Sequence, residues 1–261
     1  MSARRPFLFA ALSLSLIGGL AVTAPKTTKY KVETKAENVA DLSALGQGEQ
    51  KTTIGVVNYL TITLDDTTGG QTVHAVLDSI IKADSNALPE QSALDSARGR
   101  TWHGLLTPEG KVTNVVRSDS SNSGPVGEII TTFFPRVKRG AKVGDQWTDT
   151  TEVVTDQAPQ LVTTKTITNY SVTGTETRNG ARVMKIEAAF SQAQTGEISA
   201  PGGTLNIEGT GQGTATYYVT ADNRYLGGNS TTHSDLQITS DQLPEPIPVK
   251  STNTVTVSVL P

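Results

Sequence analysis

Threonine and valine alternate along much of this chain, and that period of two is the pattern that most restricts its fold. In STNTVTVSVL (251–260), one side of an extended strand would carry Val255, Val257 and Val259. The run TTIGVVNYLTITL (52–64) groups Ile54, Val56, Leu60, Ile62 and Leu64 in the same way, and QTVHAVLDSIIK (71–82) groups Val73, Ala75, Leu77 and Ile81. Such alternation, rich in β-branched residues, is typical of strands with one buried face. The chain is therefore predicted to be mainly β.

Turn sequences separate these runs at the spacing of β-hairpins. The strongest is Asn179-Gly180, because a type I′ turn needs positive φ at both central residues and this pair tolerates it. Other turn sequences lie at 65–70, 107–110 and 221–224. We predict about ten or eleven strands joined mainly as antiparallel hairpins. They would form one large curved sheet, a half-barrel or open barrel.

Two segments break the alternation and are predicted to be short helices on the concave face of that sheet. The first spans 89–98, since Pro89 suits the first helical position and Gly99 suits the residue after the end. The second spans 125–134 and stops at Pro135. Its apolar stripe consists of Val126, Ile129, Ile130, Phe133 and Phe134. Burial should contribute roughly 1.5–3 kcal/mol per large side chain, so this helix is predicted to be a principal hydrophobic anchor.

The first residues have the order of a secretory signal peptide. Arg4 and Arg5 precede the apolar run FLFAALSLSLIGGL (7–20), which is short for a membrane span, and small residues follow it. We predict cleavage after Ala21, with Ala24 as the alternative. Residues 1–21 would then be the signal peptide and 22–261 a single β-rich domain in the periplasm or outside the cell.

The absence of cysteine and the weak net charge exclude several classes of protein. With no cysteine, the chain has no lipobox residue to acylate and no disulfide, so an exported fold would depend on its core. The formal net charge of −3 argues against nucleic acid as a partner. The basic run RVKR (136–139) is interpreted as a solvated loop. We expect no membrane anchor, and the sequence assigns no oligomeric state.

No motif in the chain identifies a reaction. The three histidines, His74, His103 and His233, are far apart in sequence, and neither an HExxH helix nor a G-x-S-x-G elbow is present. We predict that none of them is catalytic and that the protein is not an enzyme. No acidic cluster has the spacing of a metal site, so no metal and no cofactor are expected.

Two further motifs resemble ligand sites only in composition. Gly209, Gly211 and Gly213 have the glycine count of a phosphate loop, but a dinucleotide site needs a helix to follow, and TATYYVT is typical of a strand. We interpret these glycines as a bulge or a bent strand. Asp145 and Asp149 flank Trp147, and Asp222-Asn223 lies in a predicted turn; both pairs are interpreted as turn capping rather than as weak Ca²⁺ sites.

The arrangement of these elements resembles the LolA/LolB-like half-barrel proteins of bacterial envelopes. The resemblance depends on the strands at 28–82, the helical inserts at 89–98 and 124–134, and the sheet that resumes at Gly144-Asp145-Gln146-Trp147. The stretch from Tyr170 to Gly180, MKIEAAF and G-x-G-x-G-x-x-x-YYV add to it. In that class, one long curved sheet wraps around short helices that plug or cover its concave face. The resemblance implies this fold and transfers no functional residue.

Two functions of different class follow from this fold. In the first, the concave face binds a hydrophobic or lipid-like ligand in a groove beside Val126, Ile130 and Phe134. In the second, the helix plugs that face and the chain is a scaffold that binds an envelope protein; the aromatic content of 5%, which leaves few side chains to line a pocket, favours it. A hydrolase without a recognisable motif is the third alternative.

Overall fold

A computed structural model describes residues 25–86, 88, 90–117, 130, 132–138, 140–157, 160–200 and 203–261. The predicted signal peptide lies outside these residues. Eleven strands account for most of them: β1 (Lys26–Asp41), β2 (Glu49–Thr67), β3 (Gly70–Lys82), β4 (Thr101–Leu106), β5 (Val112–Arg117), β6 (Gln146–Gln157), β7 (Gln160–Arg178), β8 (Ala181–Ala200), β9 (Gly203–Thr220), β10 (Tyr225–Thr239) and β11 (Ile247–Val259).

All eleven strands belong to one antiparallel sheet, in the order β5-β4-β3-β2-β1-β11-β10-β9-β8-β7-β6. The mainly β prediction is therefore confirmed. Every pair of neighbours is consecutive in sequence except β1 and β11, where Tyr30 lies opposite Val259. The predicted turn at Asn179-Gly180 joins β7 to β8, and φ is +48° and +74° at its two residues. Strands β5 and β6 are the edges, and within the described residues they do not pair, so the sheet is not closed into a barrel.

The sheet curls strongly about one face. Residues of both edge strands, among them Val115 of β5 and Val153 of β6, line the same cavity. Two edges separated by nine strands in the order of the sheet can share a cavity only if the sheet bends toward that face, which is therefore concave. The main core cluster, which includes Tyr30, Leu60 and Trp102, lies there. Val183, Tyr218 and Leu226 form a small separate cluster.

One predicted strand face is wrong in part. Val73, Ala75 and Leu77 are buried as predicted, but Ile81 is 44% exposed whereas Ile80 is 8% exposed. The register between β2 and β3 shifts by one residue, because Leu60 lies opposite Leu77 whereas Tyr59 lies opposite Ser79. The extra residue is a β-bulge, and it reverses the faces of all side chains beyond it.

The prediction of two short helices is not borne out among the described residues. One α-helix lies wholly within them, α1 (Gln91–Asp95), with five residues, together with a 3₁₀ turn at Ser43–Leu45. The first helix is shorter than the predicted 89–98: it begins at Gln91 without a side-chain cap and ends at Asp95, four residues before Gly99, which has φ of +80°. Of the second, Ile130, Thr132 and Phe133 are helical, and 125–129 and 131 lie outside the described residues. No helix in the described part of the chain has the length and apolar character to span a membrane.

Candidate functional site

The concave face encloses a cavity of about 770 Å³, which we call the central cavity. Its lining comes from every strand except β2 and β3, and from residues 132–136. On β1, β7, β8 and β11 the lining residues alternate, because successive side chains of a strand lie on opposite faces of the sheet, whereas the edge strand β6 contributes the consecutive residues 151–154. A cavity of this position and size therefore depends on strands that are distant in sequence.

Seven aromatic side chains form a continuous layer beside the cavity, which we call the aromatic floor. Its members are Tyr30, Phe133, Phe134, Trp147, Tyr170, Tyr217 and Tyr225. Neighbouring ring centroids are 4.9 to 6.4 Å apart, in edge-to-face, tilted and stacked pairs. Such geometries are the favourable ones for aromatic pairs. The floor is therefore a well-packed apolar surface that crosses the sheet from β1 to β6.

Hydrogen bonds fix the polar ends of two floor residues. The Tyr30 hydroxyl donates to the backbone oxygen of Tyr225 at 2.8 Å, and Trp147 Nε1 donates to the backbone oxygen of Arg136 at 3.0 Å. Burial raises the pKa of the Tyr30 phenol to about 12. Burial also raises the pKa of Tyr170, Tyr217 and Tyr225 above the usual value. These phenols are therefore neutral at physiological pH, as an apolar floor requires.

Polar and charged groups surround the rest of the central cavity. Thr166, Thr168, Gln192, Ser230 and Thr232 contribute hydroxyl and amide groups from β7, β8 and β10. Lys111, Arg117 and Arg136 also line the cavity, and we call them the cationic rim. Among the described lining residues, Glu152 is the single carboxylate. The cavity thus combines an apolar floor with a positively charged rim.

Trp102 contributes a hydrogen-bond donor to this site. The side chain is 1% exposed and lines the cavity. Its Nε1 atom has no hydrogen-bond partner among the described residues. Arg117 lies directly opposite Trp102 in the pairing of β4 with β5, so both side chains project from the same face of the sheet.

The glycines of G-x-G-x-G lie inside a strand, as predicted, and not in a phosphate loop. Gly209, Gly211 and Gly213 all belong to β9. A Cβ atom added at Gly213 would lie 2.3 Å from the backbone oxygen of Thr231 and 2.5 Å from Cζ of Phe190. Gly209 would meet the backbone oxygen of Asp235 at 2.4 Å. These glycines let β9 approach β10 closely.

The three predicted groove residues have different positions. Phe134 lines the central cavity and is 5% exposed. Ile130 is 1% exposed and belongs to the core cluster, beside the floor rather than among the lining residues. Val126 lies outside the described residues. The groove beside these residues stays a prediction.

The fold brings together two of the three histidines. His74 of β3 and His103 of β4 are directly opposed, with ring centroids 4.5 Å apart. His233 Nδ1 lies 3.1 Å from the Thr252 hydroxyl. His74 and His103 alternate with the buried Val73, Ala75 and Trp102, so they lie on the convex face, away from the central cavity. Their pairing is invisible in the sequence, which separates them by a turn and a helix.

The aspartates predicted to cap turns have separate environments. Asp145 accepts a hydrogen bond from the backbone nitrogen of Lys142 at 2.8 Å, as a turn cap does. The Oδ2 atom of Asp149 is buried without a hydrogen-bond partner in the described part of the chain. That part contains no group of three or more histidine and acidic side chains suited to a metal ion.

A second cavity, of about 380 Å³, lies at the hairpin turns between β2 and β3 and between β9 and β10. Phe134 lines both cavities. At the rim of this second cavity, Lys26 Nζ lies 2.8 Å from Asp222 Oδ2. The hydrogen bonds from Lys26 and Thr220 lower the pKa of Asp222 to about 2. This ion pair ties the start of β1 to the turn before β10.

Sequence reasoning missed the aromatic floor. The chain has two Trp, six Tyr and five Phe, and this low number favoured a filled concave face. Seven of them nevertheless line the central cavity: Trp102, Phe133, Phe134, Tyr170, Phe190, Tyr217 and Tyr225. The sequence does indicate which aromatic residues of the strands face the cavity. An aromatic residue an even number of positions from a buried residue of its own strand lies on the same face of the sheet.

Comparison with known proteins adds little to this description. No family model matches the chain, and neither does any curated protein. Among solved structures, the chain is similar to OmpT (in-vitro folded), an outer membrane protein of Vibrio cholerae in trimer form. The identity is 8% over 91% of this chain and 100% of that chain, with a TM-score of 0.18. A likeness at that TM-score carries no argument, and the resemblance to LolA/LolB-like proteins stays a prediction.

Proposed function

We propose that this chain is an exported envelope protein, periplasmic or extracellular, which binds a hydrophobic, lipid-like ligand in the concave face of its half-barrel and catalyses no reaction. The observation that carries the proposal is the central cavity of about 770 Å³ beside the aromatic floor. Ligand sites commonly measure roughly 300–1,000 Å³ and are lined mainly by hydrophobic and aromatic side chains with a few polar groups. The central cavity has this size and this composition.

The scaffold alternative requires the concave face to be filled. Phe133 and Phe134 do occupy part of it, since they are 7% and 5% exposed and pack against Tyr30 and Tyr225. The central cavity, as the described residues bound it, remains beside them. We therefore favour ligand binding over a permanent plug, and we make the scaffold an outcome of the test.

Two adjacent threonines of β10 offer a matched test. Thr232 lines the central cavity, whereas the side chain of Thr231 projects from the opposite face of the same strand. We expect a fluorescent fatty-acyl probe to bind the parent protein saturably. Thr232→Trp should weaken binding about tenfold or more, because the indole would occupy ligand volume, whereas Thr231→Trp should bind like the parent. Circular dichroism of both variants checks the fold.

The protein recovered from its own host provides a second measurement. Native mass spectrometry should show a co-purifying lipid and a polypeptide that begins at Val22. Apo protein alone, together with no saturable probe binding by the parent, would support the scaffold instead. If both tryptophan variants bind the probe as tightly as the parent does, the ligand site is not the central cavity.

A further inference from the structure

Two imidazole rings meet on the convex face of the sheet, away from the central cavity. His74 of β3 and His103 of β4 are directly opposed in the antiparallel pairing of these strands. Their ring centroids are 4.5 Å apart, with 23° between the ring planes. We call these two residues the histidine pair. Neither residue lines the central cavity, so the chemistry of the pair is independent of the proposed function.

The histidine pair can be reached from solvent. His103 is exposed and His74 is half-buried. Val116, which lies opposite His103 on the edge strand β5, is 63% exposed, so this part of the convex face is open. Within the described residues, neither ring has a hydrogen-bond partner. The ring nitrogens therefore have lone pairs that no described group occupies.

The geometry of the histidine pair suits the chelation of one metal ion. Imidazole is the commonest metal ligand among protein side chains. Two nitrogens that bind one ion, each at roughly 2.0–2.1 Å, lie about 3 Å apart. Rings whose centroids are already 4.5 Å apart reach that separation by tilting about their Cβ–Cγ bonds, a torsion with broad minima in histidine. No third described histidine or acidic side chain joins the pair in a metal-binding group, so water completes the coordination.

We propose that the histidine pair binds a divalent transition-metal ion, Cu²⁺ most tightly and Zn²⁺ and Ni²⁺ more weakly. Imidazole suits these three ions, and the order of affinities is the usual one for divalent metals at a given site. Mg²⁺ and Ca²⁺ prefer oxygen ligands and do not bind there. The ion cross-links β3 to β4. Because the two histidines meet only when these strands pair, the ion stabilises the folded chain over the unfolded one.

The first experiment compares metal ions on the parent protein. Untagged protein is used, because a polyhistidine tag binds the same ions, and it is titrated with Cu²⁺, Zn²⁺, Ni²⁺ or Mg²⁺ at neutral pH. Thermal unfolding should move to higher temperature as the ion concentration rises, with Cu²⁺ effective at the lowest concentration and Mg²⁺ without effect. The electron paramagnetic resonance spectrum of the Cu²⁺ protein should show coupling to imidazole nitrogens.

Three single variants locate the ion. His74→Ala and His103→Ala should each weaken Cu²⁺ binding about tenfold or more, because second-shell changes at metal sites already cost about 10–100-fold and these variants remove a ligand. His233→Ala is the matched control. It removes a histidine whose Nδ1 lies 3.1 Å from the Thr252 hydroxyl, and it should bind Cu²⁺ like the parent. Circular dichroism without metal checks the fold of each variant.

Each contrary result overturns the site. Cu²⁺ affinity that is the same in the parent and in both variants of the histidine pair places the ion elsewhere, and so does an equal loss in His233→Ala. Stabilisation by Mg²⁺ equal to that by Cu²⁺ shows a general effect of charge. If a variant fails to fold, a parent spectrum without coupling to imidazole nitrogens still decides against the proposal. A parent that binds no Cu²⁺ shows that the two rings only pack against each other.

Discussion

At the scale of single residues, the buried tyrosines of the aromatic floor make the stability of the fold depend on pH. Tyr30, Tyr170, Tyr217 and Tyr225 all have raised pKa values because burial disfavours the phenolate. When the folded pKa lies above the unfolded value, the folded state holds its proton more tightly than the unfolded chain. The stability that depends on these phenols is therefore fully present below the unfolded pKa and is lost as pH rises through the folded one.

This linkage predicts alkaline unfolding. For Tyr30, stability should fall as pH rises from 10.0 toward and past about 12, by on the order of 3 kcal/mol in total. Spectrophotometric titration of tyrosinate should show fewer of the six tyrosines ionising near pH 10 in the native protein than in urea. Tyr30→Phe should have a shallower loss of stability over this range. Identical titration curves for native and unfolded protein would contradict the prediction.

Residue identity in the core was more predictable from sequence than residue contacts were. Phe133 and Phe134 were predicted to anchor a helix in the core, and both are buried, because burial removes their large apolar surfaces from water. The contact of Phe133 with Tyr30 and Tyr225 was not predictable. It depends on how far the sheet curls, which no local pattern in the sequence records.

At the scale of the elements, alternation and turn residues predicted where the strands lie. They did not predict local irregularities such as β-bulges. The Asn-Gly turn between β7 and β8 followed from the conformational freedom of those two residues. The bulge between β2 and β3, which exposes Ile81 and buries Ile80, has no comparable signal. A β-bulge is a feature of the pairing between two strands. The sequence of one strand alone therefore predicts that the alternation continues past it.

The close approach of β9 to β10 gives a prediction at this scale. Gly213→Ala should destabilise the protein by about 1–3 kcal/mol, because the new Cβ would meet the Thr231 carbonyl and the Phe190 ring and a backbone atom cannot rotate away. Gly174→Ala in β7 is the matched control. A Cβ there meets nothing within 4 Å, and the change should be within about 0.5 kcal/mol of neutral. Urea unfolding of both variants measures the difference; equal midpoints would show that β9 is not closely packed at this point.

At the scale of the whole molecule, the sheet consists of two meanders joined at one seam. Strands β1 to β5 form the first, β6 to β11 the second, and β1 pairs with β11 between them. The sequence predicts each meander, because hairpins are local. It does not predict the seam or the central cavity, since both require residues more than two hundred positions apart, such as Tyr30 and Val259, to meet.

A circular permutant tests the seam. The backbone nitrogen of Leu260 donates to the oxygen of Lys29 at 2.9 Å, so a short Gly/Ser linker can join Pro261 to Pro25. Opening the chain before Val143, which is 57% exposed, makes all eleven strands one continuous meander. We expect the permutant to keep the native circular dichroism spectrum and to refold faster, because the seam becomes a local hairpin. Refolding slower than the parent in stopped-flow measurements would contradict this expectation.

The seam also affects the order in which the strands can pair during folding. Strand β1 lies far ahead of β11 in the sequence, so a first meander that folds before β11 pairs with it leaves β1 as an unpaired edge. Bare edges invite pairing with other chains, and charged side chains discourage it. β1 carries Lys29, Lys31, Glu33, Lys35 and Glu37 on its outer face, although it ends as a central strand of the sheet. Those charges disfavour pairing of the open edge with other chains until β11 pairs with β1.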